Sequence, residues 1–228
     1  NKNSPLSKRF SDEFYNGFQF AKEEERGSTY NINISNIEKS TLTWSRNEVT
    51  PDVIFIQLSE PLLPNKKVTL NLNYTVKIPS AKFTNFGYDP SGDLYLKDWF
   101  LAPARYESKS FVHYNNFNVD DNAKADADYD ITLKLPNNFR VATDLNEKLI
   151  DKGPGFTYYN LTGTNWNNFS LFVGENFNFQ NFKTNSVEVI TNLYEKNVTD
   201  EQKALAINKI VDYVNRQIGE FPHDKILI

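Results

Sequence analysis

Residues 68–78 read Val-Thr-Leu-Asn-Leu-Asn-Tyr-Thr-Val-Lys-Ile, and this stretch decides the fold class. Val68, Leu70, Leu72, Tyr74, Val76 and Ile78 alternate with Thr69, Asn71, Asn73, Thr75 and Lys77. Successive side chains of a strand point to opposite faces, so a period of two predicts a long strand with one wet face. Upstream, Tyr30, Ile32 and Ile34 repeat the pattern, and Thr41 to Trp44 reads as the partner of that strand. Val53 to Leu58 is a more continuous apolar run, which suits a strand buried on both faces. The spacing from Leu58 to Val68, across Pro61 and Pro64-Asn65, suggests an antiparallel hairpin.

Downstream, Tyr129, Ile131, Leu133 and Leu135 alternate with Asp130, Thr132 and Lys134. Phe139–Ala142, Phe156–Tyr159 and Ser170–Val173 read as further strands. Pro90-Ser91-Gly92-Asp93 and Gly153-Pro154-Gly155 read as turns. So many short strands predict a mainly β fold, a sandwich or saddle-like pair of sheets.

The pattern changes near Lys183. Val187 to Leu193 reads as a strand. Thr199 and Gln202 fit a capping box, in which the Thr hydroxyl accepts the Gln amide N–H and the Gln side chain reaches back. Ile207, Ile210, Val211, Val214 and Ile218 then fall at helical spacing as one apolar stripe. Gly219 suits a left-handed stop, and Lys225–Ile228 starts another strand. This strand, helix and strand open an α/β domain. The expected organisation is a β-domain over residues 1–183 and the truncated start of a second domain over 184–228. Residues 1–26 keep no period, although Asp12-Glu13 and Glu23-Glu24-Glu25 could bound a short helix. Both ends of the chain read as cuts in a longer protein.

The chain of 228 residues carries a net charge of -4. That argues against nucleic acid as a partner, since a backbone binder needs a basic stripe. No apolar run approaches the roughly 20 residues of a membrane span, and a soluble polypeptide is expected. There is no Cys, which removes disulfides and thiolate metal sites. Five Asn-x-Ser/Thr sequons occur, at Asn33, Asn73, Asn160, Asn168 and Asn197, in a chain so rich in Asn that chance matches are expected.

A catalytic zinc needs three protein ligands, usually His and carboxylate. Only His113 and His223 are available, with no His-Glu-x-x-His pairing, and each reads as a surface or turn residue. No metal site and no catalytic residue are therefore assigned. No Gly-x-Ser-x-Gly elbow occurs either. Asp120, Asp121, Asp126, Asp128 and Asp130 have the oxygen density of a calcium site but not the spacing of an EF-hand, and solvated loop carboxylates are the simpler reading. The aromatic stretch from Tyr95 to Tyr114 reads either as a core corner where loops cross or as an exposed platform for a peptide or sugar.

Four segments in order suggest a family: Val68–Ile78; then Lys82-Phe83-Thr84-Asn85-Phe86-Gly87-Tyr88; then Leu96–Ala104; then Asp128-Tyr129-Asp130-Ile131-Thr132 running into Leu135-Pro136. With the tail Gly219-Glu220-Phe221-Pro222-His223-Asp224-Lys225, they resemble the N-terminal β-domain and catalytic-domain approach of aminopeptidase N-type zinc metallopeptidases, the gluzincins. The resemblance covers about residues 27–228. It implies a saddle-like β-sandwich followed by the strand-helix-strand start of a thermolysin-like domain. The family's zinc motif would lie beyond Ile228, so this region would need no cofactor while zinc would serve the parent. The implied role is non-catalytic: to form one wall of a cleft for peptide substrate in a parent that removes N-terminal residues. The β-domain of relatives lends a polar residue to the substrate amine; Asp98 is the nearest polar candidate here, and Trp99 stands beside it.

Implied partners are the remaining catalytic domain, the peptide, and a second copy of the chain through the apolar helix face. Some bacterial relatives follow membrane segments, which is compatible with an extracytoplasmic or membrane-tethered parent. Two alternatives stand beside this reading: a stand-alone β-sandwich module binding peptide or glycan, and the scaffold domain of an inactive aminopeptidase-like protein.

Overall fold

The structure is a computed structural model that describes residues 4–46, 48, 50–113 and 124–228. The elements in chain order are α1 (Pro5–Asp12), a 3-10 turn (Glu23–Glu25), β1 (Ser28–Asn36), β2 (Trp44–Ser45), β3 (Phe55–Ile56) and β4 (Leu70–Lys77). Then follow β5 (Gly87–Tyr88), β6 (Leu94–Leu96), β7 (Tyr106–Glu107), β8 (Ser110–Phe111), β9 (Ala127–Pro136) and β10 (Arg140–Thr143). The rest are β11 (Asn146–Gly153), β12 (Phe156–Trp166), β13 (Leu171–Gly174), β14 (Gln180–Lys183), β15 (Glu188–Thr191), α2 (Asp200–Gln217) and β16 (Lys225–Leu227). The fold is mainly β, as the alternation predicts, with open sheets among the described residues. The chain forms two compact units, residues 1–87 with 99–125 and residues 88–98 with 126–228.

In the first unit β4 is the strand read from residues 68–78, and its antiparallel partner is β1, with Ile34 opposite Leu72. The expected partner of β1, Thr41 to Trp44, meets it only through a single bridge from Thr41 to Ser35; Trp44 pairs with Ile56 instead. The expected hairpin between the 53–58 run and β4 does not form, because β3 pairs with β2. The 53–58 run is also not buried on both faces: only Phe55–Ile56 is strand, and Phe55 is exposed. Within β1 the register shifts between Tyr30 and Asn33, and Asn31 adopts a left-handed φ of 54°. A bulge of this kind reverses the pleat. Ile34 is thus fully buried while Tyr30 is exposed, although the sequence puts them on one face.

The N-terminal segment begins with a helix capped by Ser4, whose hydroxyl accepts from the Ser7 amide at 3.3 Å. Pro5 at the first helical position suits such a start, since its missing N–H would have no partner there. Asp12 closes this helix, and the acidic run forms the 3-10 turn.

In the second unit β12 is the centre of an antiparallel sheet ordered β11-β12-β9. Burial along β9 alternates without a break, with Ala127, Tyr129, Ile131, Leu133 and Leu135 half-buried. On β12, Thr157, Tyr159 and Leu161 face the core. The turn read at Gly153-Pro154-Gly155 joins β11 to β12. A second sheet runs β10-β13-β6-β5, and the turn read at residues 90–93 is held by Asp89, whose Oδ1 accepts from the Ser91 and Asp93 amides. Phe172, Ala142 and Ile190 form a buried cluster, with Tyr95, Phe177, Phe179 and Leu227 packed against it.

The third sheet, ordered β14-β15-β16, contains the expected strand, helix and strand. β15 and β16 are parallel, with α2 as the crossover between them. The capping box is present: the Gln202 amide donates to Thr199 Oγ1 at 3.3 Å, and the Thr199 amide donates to Gln202 Oε1 at 3.0 Å. We expect Thr199→Ala to lower stability by about 1 kcal/mol, read as an earlier urea midpoint. An unchanged midpoint would mean that this helix start is frayed in solution. The apolar stripe divides. Ile207, Val211 and Val214 are half-buried, while Leu205, Ile210, Tyr213 and Ile218 are exposed. Gly219, at φ 130°, ends the helix.

Candidate functional site

The second unit holds a shallow cleft of about 350 Å³. Its walls include Trp166, Phe169, Phe221, His223, Asp144 and Lys97. Trp166 reaches it because the register of β12 on β9 shifts between Gly163 and Trp166, where Asn165 takes a left-handed φ of 59°. The His223 ring lies flat on the Trp166 indole, with centroids 3.5 Å apart and planes 9° from parallel. Phe221 stands edge-on to both rings. His223 is therefore a turn residue with one ring face stacked on Trp166.

Behind the aromatic wall, Asp144 is buried, with 7% of its surface exposed. Its Oδ2 accepts from the Ser170 amide at 2.5 Å, and its Oδ1 accepts from the Leu227 amide. Burial pushes the Asp144 carboxyl above its ordinary range, and these two N–H groups and the nearby Lys225 offset the rise only in part. Burial likewise pulls the Lys225 ammonium down, against the carboxylates of Glu147, Glu188 and Asp144. Nothing in the sequence reading singles out Asp144. The available signal is a lone carboxylate inside the otherwise uncharged run Val141-Ala142-Thr143-Asp144-Leu145.

Asp98 is exposed, with a left-handed φ of 54°, and its Oδ2 accepts from Asn168 Nδ2 at 2.9 Å. Trp99, which belongs to the first unit, is half-buried and edge-on to Phe100, and its indole Nε1 is buried with no hydrogen-bond partner among the described residues. The aromatic stretch mixes both of its readings. Tyr95 packs against the buried Phe172, whereas Tyr106 and Phe111 pair edge-to-face on β7 and β8 with most of their surface exposed.

The ligand chemistry of zinc can be tested on the residues present. His113 stands edge-on to Phe55 in the first unit, and His223 is stacked in the second. Among the described residues no three His, Asp or Glu side chains gather to hold a metal ion. These residues do not fit a zinc site. Of the five aspartates with calcium-like density, Asp120 and Asp121 lie outside the described residues. Asp126, Asp128 and Asp130 are exposed, and two of them accept hydrogen bonds from β12: Asp128 from the Asn165 amide and Asp130 from Asn160 Nδ2.

The chain is similar in fold to a zinc metallopeptidase. A crystal structure of an M1 zinc metallopeptidase mutant from Deinococcus radiodurans aligns with a TM-score of 0.52 and 13% identity, over 88% of this chain and 46% of that one. A two-domain M1 zinc metallopeptidase mutant bound to L-arginine aligns with a TM-score of 0.49 and 12% identity, over the same shares. No family model matches the sequence, and no curated protein matches it. At this identity the likeness is one of fold, and this chain spans less than half the length of those solved chains.

Proposed function

We propose that this chain is the N-terminal, non-catalytic region of a zinc aminopeptidase of the M1 type. Residues 1–183 would be its β-domain and residues 184–228 the opening of its thermolysin-like catalytic domain. The observation that supports this best is the fold likeness over 88% of the chain, reached at only 13% identity. The parallel pairing of β15 with β16 around α2 agrees with it, being an α/β opening behind an antiparallel domain. In this reading the region walls one side of a peptide cleft, with Asp98 the polar candidate for the substrate amine and Trp99 beside it in the sequence. Zinc would be held by residues that follow, because those present do not fit it. The exposed face of α2 would pack against the remaining catalytic domain or a second copy.

The test uses this chain and a longer one. Calorimetric zinc titration and an aminoacyl-anilide assay should both be blank for residues 1–228, whereas a chain continuing into the proposed catalytic domain should turn over with zinc. Zinc-dependent turnover by residues 1–228 alone would overturn the reading.

The exposed pair Tyr106 and Phe111 favours a second reading, a free-standing module that binds peptide or glycan on an aromatic surface. Binding of a peptide or glycan array that is lost on Tyr106→Ala, with the fold intact, would favour it.

A further inference from the structure

Among the described residues β16 is the outer strand of its sheet, so one of its edges lies away from β15. The pairing fixes which amides point there. The Glu188 amide donates to Asp224 O at 2.8 Å, and the Ile228 amide donates to Ile190 O at 2.8 Å. In a parallel ladder alternate residues of a strand bond to the same neighbour. Ile226 and Ile228 therefore serve β15, and the Leu227 amide faces the outer edge. An outward amide on an edge strand is a template for pairing with another chain.

That amide is already taken. It donates to Oδ1 of Asp144, a side chain from the end of β10 that is more than nine-tenths buried. The same carboxyl holds the Ser170 amide through its other oxygen, and Thr143 Oγ1 donates to Ser170 O at 2.9 Å. The carboxyl is thus fixed from the β13 side while it reaches for β16. It stands where the carbonyl of a neighbouring strand would stand.

We propose that Asp144 is an internal edge cap, a carboxyl that mimics a neighbouring strand, positions residues 226–228 and keeps the outer edge of β16 closed to strand addition. The device is a self-occupying contact, and opening this edge requires the Asp144 carboxyl to leave.

Hydrogen exchange on the 228-residue chain tests it. Asp144→Ala should speed exchange of the Leu227 amide about tenfold or more, because the amide loses a buried carboxyl acceptor. The Tyr159 and Leu161 amides in the central strand should keep their rates. Asp144→Asn retains one carbonyl oxygen and should fall between. Sedimentation of Asp144→Ala should show concentration-dependent association stronger than that of the unaltered chain. An unchanged Leu227 rate in folded Asp144→Ala, or an Asp144→Ala chain that associates no more than the unaltered one, would overturn the proposal. If Asp144→Ala does not fold, the unaltered chain still decides: a through-hydrogen-bond coupling between the Leu227 amide nitrogen and Asp144 Cγ is expected, and its absence with β16 ordered would overturn the cap.

Discussion

Phe172→Ala should lower the stability of the second unit by about 4 kcal/mol, the middle of the range for truncating a buried aromatic. Phe172 has 1% of its surface exposed and is the largest fully buried side chain among the described residues. Its ring meets Tyr95 edge-on with centroids 5.1 Å apart, lies tilted against Phe179 at 4.8 Å, and touches Phe177 at 6.3 Å. Tyr95 comes from β6, Phe172 from β13, and Ile190, also in the cluster, from β15, so one ring joins two sheets of this unit. Truncation to Ala leaves a cavity that three ordered rings cannot all close, and the lost edge-to-face contacts add to the lost burial. Phe172→Leu should recover roughly half of the loss, since it restores most of the volume but not the ring geometry. Urea unfolding followed by tryptophan fluorescence measures both variants. A Phe172→Ala loss below about 1.5 kcal/mol would mean that the three neighbouring rings collapse into the space, and the cluster would not be the centre of this core.

Where a single side-chain pattern governs the outcome, the sequence is a sufficient guide. The alternation of β9 appears residue for residue in its burial, because one face of that strand packs on the core and the other meets solvent. The capping box of α2 is legible for a similar reason, since both hydrogen bonds join residues three apart. Pairing partners are not legible in this way. β1 chooses β4, some 35 residues on, over the nearer Thr41–Trp44, and local spacing carries no information about that choice. The strand β11 is invisible because Asn146 to Lys152 are all exposed, so no apolar period marks them, and only the turn at Pro154-Gly155 hints at a hairpin.

Candidate site residues follow the same division. The shortage of zinc ligands is a matter of counting, and counting needs no coordinates. The cleft wall depends on a register shift that delivers Trp166 onto His223, and the edge of β16 depends on Asp144 meeting a residue 83 positions away. A sequence holds both pairs of residues but not their meeting.

The end of β13 is a place where one added methyl group should do great harm. A Cβ on Gly174 would stand 2.3 Å from Asp93 Oδ1 and 2.7 Å from Phe172 Cζ. Neither atom can withdraw cheaply. Asp93 is buried, with 4% of its surface exposed, and its carboxylate is held by the Glu175 amide at 2.9 Å and Asn176 Nδ2 at 3.1 Å. Phe172 is the ring whose packing has just been described. Displacing the carboxylate removes acceptors from two donors and leaves a buried charge without partners, so the cost exceeds that of overpacking alone. We expect Gly174→Ala to destabilise the chain by about 3 kcal/mol. Gly153→Ala is the matched control. Its nearest neighbour would be Phe156 O at 4.0 Å, so a Cβ there meets no close contact, and the change should stay within about 0.5 kcal/mol of the unaltered chain. Equal midpoints for the two variants in urea would show that β13 can shift away from Asp93, and that the carboxylate is a bystander to the packing of this strand and not the post on which it turns.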